Sequence, residues 1–335
     1  MKNKSLAIKA RNIILILIGF IFLFLLGVNL FFKLPVKEFL KASEKSFKIP
    51  YIDKNFVPQG LFYDEISGDY YVTGYMKDGA ASPIFIIDGK TKKICANVKM
   101  ANMDGSLYAG HCGGIALYNG KVYVANEDTN THSLLVFDPS MIRQADKSEA
   151  VSYIDNIDLT YNDDYMSVCF LSVRNDKLIV GEFYKDIIYP TCKSHKIKTS
   201  NGEYNALAVA FDIVNNKAVP AYAYSIKDNI QGICFKDNNI YLSESYGAAF
   251  SHIYNYKTDG FESDFKLNIL GKNIPVCILD EKYLINDTKI IPMSEEIDIV
   301  NNKMIIINEA ASDKYIFGKL LGMKKIYMTD LDLFN

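Results

Sequence analysis

One hairpin pattern recurs five times along this 335-residue chain, and the recurrence limits the fold more than any other feature. Each copy has an apolar strand, a short polar turn and a second apolar strand. Three close copies are Gly114–Asn126, Gly232–Ser245 and Ile297–Glu309, and looser copies are Gln59–Tyr75 and Val168–Phe183. Because such units bury their faces only against neighbouring units, the repeat predicts a β-propeller.

Two further strands are predicted after each hairpin, so that each blade has four strands. The third strands are Pro83–Asp88, Ser133–Asp138, Leu207–Asp212, Ser251–Tyr256 and Lys325–Asp330. The fourth strands are Lys93–Met100, Ala150–Ile157, Ala218–Ile226 and Phe261–Leu270, and the fifth repeat lacks one.

The segment before the first repeat resembles the missing strand. Phe47–Asp53 has the apolar pattern of Val151–Ile157, so we expect it to pair with Lys325–Asp330 and close the ring. Closure removes exposed sheet edges. The predicted fold class is all-β, a propeller of five four-stranded blades, with six blades as the alternative if Val276–Lys289 forms a degenerate extra unit.

An apolar segment precedes the repeats. Ile13–Phe32 is 20 residues without charge, and a helix of this length spans about 30 Å. It lacks a small-residue cleavage site and has more basic residues before it than after it, which favours an uncleaved anchor with a cytoplasmic N-terminus. We therefore expect a single-pass cell-membrane protein with a cytoplasmic segment (1–12), a transmembrane anchor (13–32), a juxtamembrane stalk (33–46) and an extracytoplasmic propeller (47–335).

Charge and cysteine content exclude several classes. The 37 Lys and Arg residues are balanced by 39 Asp and Glu, so no basic field favours nucleic acid as a partner. The six cysteines form no C-x-x-C pair, which argues against a zinc ribbon or a thioredoxin-like site. Four cysteines in apolar strand runs are predicted to be buried: Cys95, Cys169, Cys234 and Cys277. Cys112 and Cys192, in predicted loops, are the candidates for a disulfide.

Loop lengths distinguish the two faces of the predicted propeller. One face carries short turns, whereas the other receives the loop from Glu127, the loop Asp186–Tyr204 and the segment Gly271–Met293. Insertions gathered on one face are typical of a binding face. Four tyrosines fall in or near these loops and could stack on sugar rings: Tyr184, Tyr189, Tyr246 and Tyr315.

Polar residues cluster where first strands start and second strands end on that face. The candidate ligand-binding residues are Gln59, His111, Asn126, Glu182, Gln231, Glu244, Glu295 and Asn308. Carboxylates and amides in such a ring could bind sugar hydroxyls or a hard cation such as Ca²⁺, with Glu182 and Glu244 as the candidate metal ligands. The alternative is that these groups only satisfy one another's hydrogen bonds.

Five phrases carry a family resemblance. They are VPQGLFYD (Val57–Asp64), GHCGGIA (Gly110–Ala116), LIVGEFY (Leu178–Tyr184), IQGICF with YLSESYG (Ile230–Gly247) and PMSEEI with NEAASDKY (Pro292–Tyr315). Together they resemble a family of bacterial secreted or membrane-anchored β-propellers within the broad gluconolactonase-like group. The resemblance implies the architecture, and it implies no activity and no matching set of metal ligands.

Two functions remain open. The first is a membrane-anchored extracytoplasmic binding module that holds a glycan, peptide or partner protein at the long-loop face. The second is a metal-assisted hydrolase or lactonase acting on a sugar-like substrate through axial carboxylates. Glycoside hydrolysis would need two carboxylates beside one bond, and the available pairs are Glu182 with Glu244 and Glu295 with Glu309.

Overall fold

The computed structural model describes residues 2–127, 131–199, 202–258, 263, 265–315 and 318–335. A helix, Lys2–Lys33, is followed by a 3₁₀ turn, Leu34–Val36, and a short helix, Lys37–Ala42. An 18-residue window of the long helix has a mean hydropathy of 3.0 and none of that window is buried. The helix is therefore long and apolar enough to cross a membrane.

The following chain forms a five-bladed β-propeller. Blade 1 contains Phe56–Asp64, Asp69–Met76, Pro83–Ile87, Ile94–Ala101 and an added edge strand, Ala150–Ser152. Blade 2 contains Cys112–Tyr118, Lys121–Asn126, Ser133–Phe137 and Asp155–Asp158. Blade 3 contains Val168–Arg174, Lys177–Glu182, Ala206–Val214 and Lys217–Ile226, extended by Lys272–Ile278 and Lys266–Ile269.

The last two blades have four strands each. Blade 4 contains Ile230–Lys236, Asn239–Glu244, Ser251–Lys257 and Leu284–Ile290. Blade 5 contains Ser294–Val300, Lys303–Asn308, Lys325–Asp330 and Ser43–Lys48. The first strands of neighbouring blades contact one another around the whole ring, from blade 1 to blade 5 and back to blade 1.

Short elements decorate the loops. They are the helix Pro139–Gln144, the 3₁₀ turns Lys193–His195, Gly318–Leu321 and Leu331–Phe334, and the two-stranded hairpins Thr160–Tyr161 with Asp164–Tyr165 and Ile197–Thr199 with Gly202–Tyr204.

The predicted hairpin turns are confirmed. Asn119 and Gly120 have φ values of 48° and 72°, and Asn301 and Asn302 have φ values of 48° and 61°. Positive φ at both central residues is the type I′ geometry that matches the twist of antiparallel strands. Asparagine and glycine tolerate that conformation, which explains why these residues recur at the turns.

The six-bladed alternative is wrong, because Val276–Lys289 is shared between two blades. Its first part belongs to Lys272–Ile278, which pairs in parallel with the fourth strand of blade 3. Its last part belongs to Leu284–Ile290, which is the fourth strand of blade 4. The parallel addition covers the outer edge of blade 3, which would otherwise expose unpaired backbone groups.

Two predicted fourth strands need correction. Of Phe261–Leu270, residues 261, 262 and 264 lie outside the described residues, and Lys266–Ile269 joins the edge of blade 3 instead of blade 4. Ala150–Ile157 is divided: its first part pairs with the edge of blade 1, and Asp155–Asp158 completes blade 2. Outer strands contact fewer neighbours than first strands, so their apolar pattern is weak and specifies their blade poorly.

The ring closes through an N-terminal strand, as predicted, but the strand starts earlier than expected. Ser43–Lys48 pairs antiparallel with Lys325–Asp330, with Ser43 opposite Thr329 and their hydroxyl oxygens 2.8 Å apart. A turn with φ of 48° at Tyr51 ends the pairing, so most of Phe47–Asp53 lies outside the strand.

The expected stalk, residues 33–46, is partly built into blade 5. Val36 and Phe39 are each only 2% exposed, and the Phe39 ring stacks on Tyr327 with centroids 5.8 Å apart. The segment between the long helix and the closing strand therefore packs on the propeller.

The closing strand supplies a stability test. Phe47 is 5% exposed and its ring lies 4.9 Å from that of Tyr70 in blade 1, so it joins the last blade to the first. We expect Phe47→Ala to lower the free energy of unfolding by about 3–5 kcal/mol. Urea unfolding followed by tyrosine fluorescence measures this. Ile66→Ala, at a side chain that is 96% exposed, is the control; equal effects of both substitutions would contradict a packed closing blade.

A buried carboxyl group crosses the axis. Glu296 is 1% exposed, and its Oε2 accepts a hydrogen bond from the Leu171 backbone N–H of blade 3 at 3.4 Å. A Cβ at Gly114 of blade 2 would lie 2.5 Å from the same oxygen, and one at Gly232 of blade 4 would lie 2.8 Å from the Glu296 Cα. Glycine at both positions therefore lets the first strands approach, and Glu296 fills the space between them.

Burial raises the pKa of the Glu296 carboxyl well above its ordinary value near 4.5. The contribution of this group to stability is therefore greatest below pH 4.5 and is lost as the pH rises through its folded-state pKa. We expect Glu296→Gln to match the wild type within about 1 kcal/mol at pH 4.5 and to exceed it increasingly as the pH rises toward 9, by about 1.4 kcal/mol per pH unit until the folded-state pKa is passed. Urea unfolding across this pH range checks the prediction, and a constant difference would contradict it.

Candidate functional site

A cavity of about 220 Å³ lies at the end of the axis where the first strands begin. We call it the axial pocket. Every blade or a loop beside it contributes to the lining, which comprises Gln59, Tyr75, His111, Glu127, Phe183, Tyr189, Gln231, Ser245, Tyr246, Gly247, Met293, Glu295, Glu309, Lys314 and Tyr315. This is the long-loop face, where the sequence places the binding surface.

Two carboxyl groups in the pocket are hydrogen-bonded to each other. Burial raises the pKa of Glu295 well above its ordinary value, and the neighbouring Glu309 raises it further. Burial also raises the pKa of Glu309, against the opposing effect of a hydrogen bond from the Tyr315 hydroxyl. Gln59 Nε2 donates to Glu309 Oε2 at 3.2 Å. Burial and mutual repulsion therefore disfavour ionisation of both carboxyl groups at once, and the pKa of Glu295 is the more strongly raised of the two.

A second ionisable pair lies beside the first. His111 Nδ1 is 2.7 Å from Glu127 Oε2. Burial by itself would lower the pKa of His111, but the adjacent Glu127 carboxylate outweighs it and raises the pKa. The imidazole ring also packs against Tyr75, with ring centroids 4.2 Å apart. The arrangement favours an imidazolium held between a carboxylate and an aromatic ring.

Lys314 brings a positive charge to the mouth of the pocket. Its Nζ donates to the Tyr75 hydroxyl and lies 5.1 Å from the ring centroids of both Tyr75 and Tyr315. Burial raises the pKa of Tyr75 and of Tyr315, and the Glu309 carboxylate raises both further. Both tyrosines therefore stay neutral and can donate hydrogen bonds.

The structure brings four of the eight predicted site residues into the axial pocket. They are Gln59, His111, Gln231 and Glu295. All four lie within or directly before the first strands, which are the innermost strands of the blades. Gln231 Oε1 accepts from the Cys169 thiol at 3.5 Å.

The other four predicted residues end second strands and do not line the pocket. Asn126 accepts from the Tyr108 hydroxyl at 2.5 Å and donates to Ser133 Oγ at 3.1 Å. Asn308 donates to the Pro292 carbonyl oxygen at 2.7 Å and accepts from a backbone N–H two residues later at 2.9 Å. Both amides hold loops and strands together.

The structure does not bring the candidate metal ligands Glu182 and Glu244 together. Glu182 is fully buried, and its oxygens lie 3.0 Å from His195 Nδ1 and accept from two backbone N–H groups at 3.0 Å each. Glu244 accepts from the Tyr254 hydroxyl. The two carboxylates therefore act in separate networks within blades 3 and 4.

The residues predicted at second-strand ends lie one position before the residues that line the axial pocket. The residue after each second-strand position lines the axial pocket in all five blades: Tyr75, Glu127, Phe183, Ser245 and Glu309. Successive side chains of an extended chain point to opposite sides. A shift of one residue therefore moves a side chain from the axial pocket to the side that faces the neighbouring strand. The predicted residues therefore lie at the pocket end of the second strands, one position before the residues that line the pocket. Lys314 had no signal of this kind, because it lies in a loop.

Three of the four loop tyrosines lie in the axial pocket. Tyr189, Tyr246 and Tyr315 line the pocket, and Tyr184 does not.

All six cysteines are free, so the candidate disulfide between Cys112 and Cys192 is absent. Cys95 is exposed, contrary to expectation, because it lies in the fourth strand at the outside of blade 1.

Comparison with solved structures yields propellers at low identity. An aldose sugar dehydrogenase from Streptomyces coelicolor, in its PQQ-bound form, aligns at a TM-score of 0.47 and 12% identity, covering 85% of this chain and 95% of that one. A luciferin-regenerating enzyme aligns at a TM-score of 0.44 and 12% identity, covering 86% and 95%. No protein-family model and no curated protein sequence matches the chain. The propeller architecture rests on the strand pairing of this chain.

Proposed function

We propose that this protein is a membrane-anchored binding module whose axial pocket takes a small, hydroxyl-rich ligand such as a sugar or polyol. The observation that carries the proposal is the hydrogen-bonded pair of Glu295 and Glu309, set beside an amide and several tyrosines. Carboxylates accept hydrogen bonds from vicinal hydroxyls, amides both donate and accept them, and aromatic rings stack on the apolar faces of sugars.

The size of the pocket supports one small ligand unit. At about 220 Å³ it lies below the range of about 300–1,000 Å³ that is typical of sites for drug-sized molecules. A second cavity, of about 400 Å³, shares Glu127, Phe183 and Tyr189 with it. A longer glycan could therefore place one residue in the axial pocket and continue along the long-loop face. A peptide or a partner protein fits this small polar pocket less well.

The proposal predicts which side chains control affinity. Calorimetric titration of the detergent-solubilised chain with monosaccharides, sugar acids and polyols should identify a ligand. Glu309→Gln and Tyr315→Phe should each weaken it about 10-fold or more, because a hydrogen bond to a charged group contributes about 1.5–3 kcal/mol.

The matched control is Glu281→Gln, which changes an exposed carboxylate outside the pocket and should leave affinity unchanged. Equal melting temperatures of all variants would show that the loss is local. Binding to none of these compounds, or unaltered binding by Glu309→Gln, would contradict the proposal.

Hydrolysis of a sugar-like lactone is the second candidate, and the two ionisable pairs in one pocket favour it. Glycosidases separate their carboxyl groups by about 5–9.5 Å to accommodate the scissile bond or a water. Glu295 and Glu309 are hydrogen-bonded directly, which leaves no such gap. His111, held by Glu127, is better placed as an acid or base for ring opening. Product released from a sugar lactone in the same titrations would distinguish catalysis from binding.

We also propose that the propeller lies outside the membrane, and one side chain reports on this. Cys95 is the exposed cysteine, whereas the other five are buried. A membrane-impermeant maleimide added to intact cells should label the wild type but not Cys95→Ser. Labelling that appears only after cell lysis would place the propeller in the cytoplasm.

A further inference from the structure

A mixed set of ligand-type side chains lies in the loops of blade 3, outside the axial pocket. Asp164 belongs to a short hairpin, Cys192 directly precedes the 3₁₀ turn Lys193–His195, and His195 ends it. One potential ligand atom from each of the three lies within 4.8 Å of the other two. Among the described residues, this is the one group of His, Cys, Asp or Glu side chains placed so closely. We infer that Asp164, Cys192 and His195 form a binding site for a divalent transition-metal ion of the zinc type.

The geometry needs little adjustment to hold an ion. Asp164 Oδ1 and His195 Nε2 are 3.0 Å apart. Neighbouring ligand atoms around a tetrahedral Zn²⁺ with bonds of about 2.0–2.1 Å are separated by about 3.3 Å. Cys192 is a free thiol whose Sγ lies 3.0 Å from Ser194 Oγ. The Asp164 and His195 atoms therefore need to separate by only a few tenths of an ångström, and the Cys192 Sγ lies within 4.8 Å of both.

A buried carboxylate orients the imidazole ring of His195. Both carboxylate oxygens of Glu182 lie 3.0 Å from His195 Nδ1, and both residues are fully buried. Glu182 is fixed in turn by the backbone N–H groups of Ser167 and Leu207, at 3.0 Å each. This contact directs Nε2 toward Asp164. A carboxylate behind a histidine is the usual way in which proteins orient metal-binding imidazoles.

The chemistry of the three ligands selects the metal. One thiolate, one imidazole and one carboxylate suit Zn²⁺ or Co²⁺, whereas Ca²⁺ takes six to eight oxygen ligands. The Ca²⁺ expected on the axis would therefore not be the ion at this site. In addition, Asp164 and Cys192 line an open cleft of about 610 Å³. A fourth position is accessible there to water or to an incoming ligand.

The alternative is a purely structural ion pair. The Glu182 carboxylate and Asp164, on either side of His195, raise the pKa of the imidazole to about 10 against the opposing effect of burial. In that state the proton on Nε2 occupies the position of the metal. Metal binding would displace it, since histidine ligates as the neutral imidazole.

Cobalt titration separates these possibilities. The purified full chain, stripped of metal with a chelator, should bind one equivalent of Co²⁺ and develop sulfur-to-cobalt charge-transfer absorption. Cys192→Ser should abolish that absorption, and Asp164→Asn should weaken binding at least 10-fold. Cys95→Ser, which removes an exposed thiol elsewhere, is the matched control and should behave as the wild type.

A second readout covers variants that fold poorly. Zn²⁺ should raise the melting temperature of the wild type but not of Cys192→Ser, and Glu182→Gln should reduce the affinity for Zn²⁺ about 10–100-fold. Substoichiometric binding, or equal binding by Cys192→Ser, would overturn the inference and leave His195 as an ion-pair residue. Sugar titrations with and without chelator test the axial pocket separately, so either proposal can fail alone.

Discussion

The close approach of five first strands around one axis determines where everything else in this protein lies. Glycine at Gly114 and Gly232 permits that approach, and the buried side chain of Glu296 fills the remaining space. The Glu296 side chain therefore blocks the axis inside the ring, and the axial pocket is closed at its inner end. A ligand of the proposed axial site would therefore enter from the long-loop face.

Closure of the ring connects this arrangement to the membrane-compatible helix. The strand Ser43–Lys48 completes blade 5 only one short helix after Lys33. Val36 and Phe39 are buried against the propeller, and Phe32 packs near Phe250 with ring centroids 5.9 Å apart. The helix is thus fixed to the fold through packing contacts, which limits how freely the propeller could turn relative to it.

Half of the predicted site residues line the axial pocket, and the other half lie one position before residues that line it. Residues at first-strand starts, such as Gln59 and Glu295, were identified because no strand lies between them and the axis. At second-strand ends, the choice between Asn308 and Glu309 depends on bulges and on strand twist at the last residue. Neither is encoded in the polar pattern itself, and a one-residue error changes the side of the sheet. The Glu182–His195 pair lies outside the axial pocket, beside the proposed metal site.

The sequence by itself determined the hairpin repeat, the five first-strand segments, the type I′ turns and the apolar helix. These depend on local chemistry: alternation of apolar residues, asparagine and glycine at positive φ, and an uncharged 20-residue segment. The pair Glu295 and Glu309 was also accessible from the sequence, because the two residues adjoin in one hairpin in which Ser294 pairs with Asn308. Tertiary structure alone decided which blade each outer strand joins and that Asp164 meets His195 across a long loop, because folding converts distant positions into neighbours. Contacts between separate segments depend on the packing of whole blades, and no local sequence pattern specifies that packing.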